Sequence, residues 1–383
     1  MMDKTMDYSG YDRIIGSIIW FLIAAILLSF SAPAFADPNN SERSSMGHYQ
    51  DVIQALPGVF CALRMDGTVS VVETCSKDGL YLDEGYEQFK ENVERWTDIQ
   101  KIVTIGAQAG VAGIIENGDV VLELIADDVK EIHGGCTEWH GIKDIISDGI
   151  GTFGLKNDGR VITTEGVRRY FEKCYAIYNP AFDSWKDIVT IKGPEHCLGG
   201  YGFFGLSKDG VLYHFGWSVL NDWNGLMNIA DVEGITDSFL ALREDGTVYT
   251  GTYDDGMNYL KDIVQIGAGS SHAAAIKSDG TVLVSNNSID NRTEELDWSD
   301  VVSIYWGLGD ILFGVCKDGT VKCHMTKNSD LPYVDQDVIE SWNGIVRLSV
   351  LWYYGPLFDT QAELIVIGYK EDGSIVSTRD LSL

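Results

Sequence analysis

Few residues in the chain combine a reactive type with a spacing that would do chemistry. His133-Gly-Gly-Cys136-Thr-Glu-Trp-His140 carries three groups able to ligate zinc, spaced His-x2-Cys-x3-His. No fourth ligand accompanies them, so packing within a loop is the expectation, and neither a metal nor a cofactor is expected. His196-Cys197 and Cys323-His324 are adjacent pairs whose side chains would point apart on a strand. No nucleophile elbow, phosphate-binding loop or dinucleotide fingerprint occurs in a strand–helix setting. Glycoside hydrolysis needs two placed carboxylates; with 57 Asp and Glu in the chain, spacing nominates no pair. The expectation is a protein that performs no catalysis.

The balance of charge narrows the partners. With 28 Lys and Arg against 57 Asp and Glu, the net charge is −29, which repels phosphate and argues against nucleic acid. Hydrophobic residues make up 45% and charged residues 22% of the 383, the composition of a folded chain. The 42 Gly against 7 Pro suit many tight turns between short strands.

Near the start, the uncharged run from Ile14 to Phe30 is followed by Ala34-Phe35-Ala36, the A-x-A spacing of a signal-peptidase site. Residues 1–36 are therefore expected to be a cleaved export signal, with an uncleaved membrane anchor as the alternative. Residues 37–383 would be the folded part, secreted and extracellular. Seven Cys follow, an odd number at irregular spacings, so mostly buried free thiols are expected, with one or two bridges as the alternative.

The elements that must position any site come from a repeat. A turn pair returns eight times, as Asp66-Gly67, Asn117-Gly118, Asp158-Gly159, Asp209-Gly210, Asp245-Gly246, Asp279-Gly280, Asp318-Gly319 and Asp372-Gly373. Such pairs suit a two-residue type I′ turn with positive φ at both centres. Four residues before each Asp or Asn stands Ala62, Gly113, Gly154, Gly205, Ala241, Ala275, Gly314 or Gly368, and three after it an aliphatic such as Val69 or Leu212. An earlier strand repeats less strictly, as D-I-V-T-I from Asp187, D-I-V-Q-I from Asp262, D-V-V-S-I from Asp300 and G-I-V-R-L from Gly344, with D-V-I-Q-A from Asp51, I-V-T-I from Ile102, D-I-I-S from Asp144 and G-L-M-N-I from Gly225 taken in the same phase. A Trp often precedes it by two, as at Trp185, Trp223, Trp298 and Trp342.

Each unit reads as strand, loop, strand, Asp-Gly turn, strand and a variable return. Turn glycines 34 to 54 residues apart fit propeller blades. The fold class expected is all-β, a single β-propeller of seven or eight blades. The small residue would let neighbouring backbones approach. Helical spacing of Tyr86, Phe89, Val93 and Trp96, and of Val167, Tyr170, Phe171 and Cys174, predicts short helices on the rim over 83–96 and 167–178. The stretch 324–342 reads as a loop, and a fourth strand for the last blade is expected from the N-terminal part of the mature chain. The Asp-box of propeller glycosidases is not matched, since Asp and Gly are adjacent here.

A-L-R-E-D-G-T-V at 241–248 and D-I-V-Q-I-G-A-G-S-S-H-A-A-A-I-K-S-D-G-T-V at 262–282 resemble the regulator of chromosome condensation repeat. The resemblance covers 48–380 and implies a propeller of about seven blades. The family's W-G after the third strand is nearly absent, Phe215-Gly216 being the nearest. The nuclear branch acts on a small GTPase and on chromatin, which an acidic, exported chain does not suit. The bacterial secreted branch, which includes an inhibitor that grips β-lactamases with aromatic residues on one face, implies a binding role. His272 matches the family's repeat His, implied to be a loop-packing residue.

Loops between first and second strands should emerge on one face. They carry Tyr201, Phe203, Trp306, Trp352, Tyr353 and Tyr354, with the carboxylates Asp237 and Asp310 beside them. Converging aromatics suit an interface hot spot, and the carboxylates favour a partner with a basic patch. The expectation is a secreted, inhibitor-like module for an extracellular or cell-envelope protein. The alternative is a polysaccharide-binding or glycan-active propeller that uses the same rings as stacking platforms.

Overall fold

The computed structural model describes residues 48–74, 85–106, 108–148, 151–169, 184–193, 202–216, 225–235, 238–251, 256–258, 260–269, 272–286, 292–307, 310–325, 334–353, 363–379 and 381. Both the apolar run 14–30 and the candidate cleavage site lie outside them, as do Cys75, Cys174 and Cys197.

Eight antiparallel sheets follow one another along the chain. Their first strands are Tyr49–Leu56, Ile99–Ile105, Ile142–Asp148, Ile188–Lys192, Ile229–Ile235, Ile263–Ala268, Val301–Gly307 and Ile345–Tyr353. Each pairs with a second strand, which pairs with a third across the Asp-Gly or Asn-Gly turn. The sixth sheet adds a fourth strand, Arg292–Glu295. Each sheet packs on the next, first strand nearest to first strand at most steps, and the eighth packs on the first. The result is a closed, eight-bladed propeller.

Instead of one core there are eight, one at each interface between blades. Val52, Phe60 and Ala62 of blade 1 meet Ile365, Ile367 and Tyr369 of blade 8 in one of them. Phe153 of blade 3 meets Phe203 and Phe215 of blade 4 in another, the first two rings 4.4 Å apart. Successive residues of a middle strand serve opposite interfaces, so both faces of every blade are buried. Phe203 packs towards blade 3 and Phe204 towards blade 5.

Three details of the repeat depart from expectation. The turn is not type I′. Gly67 has φ +81° and its seven counterparts are also positive, whereas Asp66 and the other Asp or Asn partners are not. In blade 1 the Gly67 N–H donates to the Arg64 carbonyl at 3.0 Å and the Arg64 N–H to the Thr68 carbonyl at 2.9 Å. That is a three-residue loop, a type I turn closed by a left-handed glycine. Asp66 instead accepts from the Thr68 N–H and hydroxyl, at 3.0 and 2.6 Å, which fixes the turn.

The small residue of the middle strand admits a side chain, not a neighbouring backbone. A Cβ on Gly154 would lie 2.7 Å from the Trp139 ring, and one on Gly205 2.6 Å from the Trp185 ring. Gly113, Gly314 and Gly368 face Trp96, Trp298 and Trp342 in the same way. Where the residue is Ala, the wedge is smaller: Leu226 joins the cluster holding Ala241, and Leu260 the one holding Ala275. Trp223 lies outside the described residues, and Leu226 fills its role in blade 5.

The third departure is phase. The true start of seven of the eight first strands is marked by a left-handed residue, at Asp98, Gly141, Asp187, Asn228, Asp262, Asp300 and Gly344, with φ between 53° and 67°, and His48 holds that place in blade 1. Asp51 and Asp144 therefore stand three residues inside their strands rather than at the start. Tyr49–Leu56 opens blade 1, and residues 37–47, the expected source of a fourth strand for blade 8, lie outside the described residues. A helix covers Gly85–Val93 (α1) and buries Tyr86, Phe89 and Val93, as its spacing predicts. A helical turn occupies 165–169, with Val167 buried, and the rest of the second expected helix lies outside the described residues. Two helical pieces were not foreseen. Asp127–His133 (α2) runs into a 3-10 turn. Gln336–Glu340 (α3) forms within the expected loop, where Asp335 caps it by accepting from the Val338 N–H and Ile339 is buried.

Candidate functional site

Of the residues that spacing placed at the loop end, Phe203, Trp306 and Asp310 are buried. Phe203 belongs to the second strand of blade 4 and is 1% exposed, 5.1 Å from the Trp185 ring. Trp306 lies in the first strand of blade 7, buried in the core shared with blade 6. Asp310 is also buried. Its Oδ2 sits 3.0 Å from His272 Nδ1, and its Oδ1 accepts from the His272 N–H at 3.3 Å, so the pair ties two blade loops together. Burial follows from alternation: a large ring in a strand buried on both faces must enter one interface or the other. Trp352 and Tyr353 end the long first strand of blade 8, opposite Leu364 and Glu363. Tyr201, Tyr354 and Asp237 lie outside the described residues. Phe203 and Trp306 thus add no ring to an open patch.

The zinc-like trio is dispersed. His133 is buried with Nδ1 2.9 Å from Thr152 Oγ1, and desolvation drives its pKa down to about 4. Cys136 sits in the core between blades 2 and 3, where burial pushes its thiol up to about 12. His140 is on the surface, Nδ1 2.6 Å from Asp119 Oδ1. Among the described residues no three His, Cys, Asp or Glu side chains gather as metal ligands. Cys323 is buried while His324, on the other side of its strand, meets Trp298 edge-on.

The Asp-Gly end is built differently. There the N–H that opens a first strand donates to the turn glycine carbonyl of the preceding blade. The bonds run from Ile99 to Gly67, Ile142 to Gly118, Ile188 to Gly159, Ile229 to Gly210, Ile263 to Gly246, Ile345 to Gly319 and Tyr49 to Gly373, at 2.7–3.1 Å. One residue further on, every first strand carries a β-bulge. A bulged residue leaves the ladder and is turned outward. In blade order these residues are Gln50, Gln100, Lys143, Val189, Ala230, Val264, Val302 and Val346, and all eight are exposed. The polar ones belong to blades 1–3 and the apolar ones to blades 4–8, so the apolar ones form one unbroken arc.

The arc accounts for most of the apolar exposure. Seven large hydrophobics are exposed among the described residues, and six of them lie at this end: Met65, Val189, Met227, Val264, Val302 and Val346. Val264, Val302 and Val346 are each more than half exposed. Only Met325 lies elsewhere. Single exposed apolar residues are ordinary, but a clustered set marks a surface that meets something.

Just inside the bulges, polar side chains link neighbouring first strands. Lys101 pairs with Asp144, and Lys192 reaches Asp231 at 2.7 Å and Glu233 at 2.5 Å. Burial opposes the charge of Lys192, but the two carboxylates outweigh it and raise its pKa. Arg347 of blade 8 pairs with Asp51 of blade 1 at 3.5 Å and stacks on Tyr369, 3.6 Å from the ring centroid. The Tyr369 hydroxyl accepts from the buried Val52 N–H at 2.9 Å. Burial raises the Asp51 pKa against the pull of Arg347.

The bulge row was missed in the sequence because four of the eight first strands, at Asp51, Ile102, Asp144 and Gly225, were read out of phase. Aligned on the residue that precedes each first strand, the column Gln, Gln, Lys, Val, Ala, Val, Val, Val becomes visible.

No protein-family model matches the chain, and no curated protein does. Solved structures do resemble it. Prp20p from Saccharomyces cerevisiae, described with its binding to Gsp1p and histones, is 13% identical with a TM-score of 0.43, over 83% of this chain and 82% of that one. The CRINKLY WD40 ectodomain of the Arabidopsis thaliana receptor kinase ACR4 is 12% identical with a TM-score of 0.41, over 88% and 97%. The WD40 β-propeller domain of Doa1 is 9% identical with a TM-score of 0.40, over 88% and 95%.

Proposed function

We propose that this chain is an exported, non-catalytic β-propeller that docks a protein partner. One observation carries the reading: exposed apolar side chains concentrate at the Asp-Gly end of the ring, around its first strands. An interface combines apolar contacts with a polar surround, and that end carries exposed valines beside exposed Asp187, Asp262 and Asp300. The docking face is thus the end opposite the one that the loop aromatics suggested. The polysaccharide reading loses two of its stacking rings, because Phe203 and Trp306 turn no ring face to solvent.

Export rests on the apolar run from Ile14 to Phe30 and the A-x-A site at Ala34 and Ala36. The partner then belongs outside the cytoplasm, as an extracellular or cell-envelope protein. Two measurements test the reading. N-terminal sequencing of the chain recovered from the medium should begin at Asp37; recovery only in the membrane fraction, uncleaved, would replace secretion with anchoring. Capture of envelope proteins by the full mature chain should fail for V264Q/V302Q while the fold is kept. Capture unaffected by that change would remove the Asp-Gly end from the account.

A further inference from the structure

Building on that docking reading, we infer that the arc receives an amphipathic segment of a protein partner whose apolar stripe is flanked by Lys or Arg. Three observations select this chemistry. The first is the arc itself: bulges aim Val189, Val264, Val302 and Val346 outward one blade at a time, so a matching occupant offers apolar side chains in a row.

The second is the anionic companion of three of these four contacts. Two residues before Val189, Val264 and Val302 stand the left-handed Asp187, Asp262 and Asp300, all exposed. Asp187 is met by Lys208 at 3.2 Å, whereas Asp262 and Asp300 have no side-chain ion pair among the described residues. Adjacent blades 6 and 7 therefore repeat one unit, a carboxylate beside an exposed valine. A leucine-like side chain with a neighbouring cation complements that unit twice over.

The third is the field of the whole chain. At −29 it draws cationic segments in and holds a second copy of itself away. The polar side of the ring, Gln50, Gln100 and Lys143, leaves the occupant's other face in water.

The test uses the full mature chain and two synthetic peptides of equal length. Both carry a leucine stripe at helical spacing; one has a lysine polar face and the other a glutamate polar face. Binding is read by fluorescence anisotropy. Gln already occupies the bulge in blades 1 and 2, so V264Q/V302Q is compatible with the fold, which circular dichroism and Tm would check. The lysine peptide should bind at least tenfold tighter than the glutamate peptide. V264Q/V302Q should weaken it at least tenfold, and D262N/D300N should weaken it less while flattening its salt dependence.

Equal binding of both peptides, each lost in V264Q/V302Q, would keep the docking face and overturn the cationic assignment. Lysine-peptide binding that V264Q/V302Q leaves unchanged would be diffuse attraction to an acidic chain and would overturn both. Failure of the lysine peptide to bind would overturn the inference. A chain that sediments as a dimer, and becomes a monomer in V264Q/V302Q, would give the face to a second copy and overturn it too.

Discussion

The Tyr49 N–H donates to the Gly373 carbonyl at 2.7 Å, across 324 residues of sequence, and so closes the ring with the same bond that joins one blade to the next elsewhere. His48 Nδ1 stands 2.7 Å from the Asp372 carbonyl beside it, and the Tyr369–Val52 bond lies just behind. Closure repeats the interface used all round.

That bond explains the glycine of the Asp-Gly turn. A Cβ on Gly319 would lie 2.7 Å from the Gly344 Cα, in addition to the left-handed φ of +83°. Gly246 has a similar φ of +78°, but its Cβ would meet nothing nearer than 3.3 Å. G246A should cost about 1–2 kcal/mol, the strain of a left-handed alanine. G319A should cost clearly more, because two blades must also separate. Urea denaturation of both variants measures the gap; equal costs would show that the interface gives way freely.

The wedge and its seat should behave as a pair. L260W alone forces an indole against Ala275 and should destabilise by about 1–3 kcal/mol. L260W/A275G copies the Trp–Gly arrangement of blades 3 and 4 and should recover most of the loss. Full additivity in the double-mutant cycle would contradict the pairing.

Acid should weaken the fold before its carboxylates titrate. His133 and His214 are buried, and desolvation lowers each pKa from 6.5 to about 4. Above pH 6.5 neither state binds the proton, so they contribute nothing. Between pH 6.5 and 4 the unfolded chain takes up protons that the fold refuses, so stability falls by roughly 1.4 kcal/mol per pH unit for each His. Asp51 works in the opposite sense, since its raised pKa makes protonation favour the fold. Denaturant midpoints at pH 7, 5.5 and 4.5 should decline, and H133Q/H214Q should flatten the decline. An unchanged slope in that variant would assign the loss to other groups.

Thiol chemistry should split into two classes. Cys61, Cys136, Cys316 and Cys323 are free and buried, and desolvation holds the thiols of Cys61, Cys136 and Cys323 well above the ordinary range. With 7 Cys in the chain, at most three should react promptly with a disulfide reagent in the native state, and these four only after denaturation. Prompt reaction of more than three would mean that the blade interfaces open readily.

The eight turns, the small residue and the strand order were legible because each leaves a residue type at a fixed offset. The turn type was not, because Asp-Gly suits both a two-residue and a three-residue loop, and only the backbone angle of Asp66 separates them. The role of Gly154 and Gly205 was hidden for another reason: their partners, Trp139 and Trp185, stand outside the hairpin. Pairing Gly with Trp and Ala with Leu across the units would have exposed it. The candidate site suffered most. Exposure was inferred from loop position, yet Phe203 and Trp306 are strand residues, and the residues that do reach solvent are valines, which read as core in any strand.

The most direct measurement is photocrosslinking of the full mature chain with a partner-containing envelope fraction, placing a benzophenone side chain at position 264 in one variant and at position 352 in another. The account predicts one saturable adduct from position 264, competed by unlabelled chain, and none from position 352. A saturable adduct from position 352 alone would return the docking surface to the loop end and contradict it.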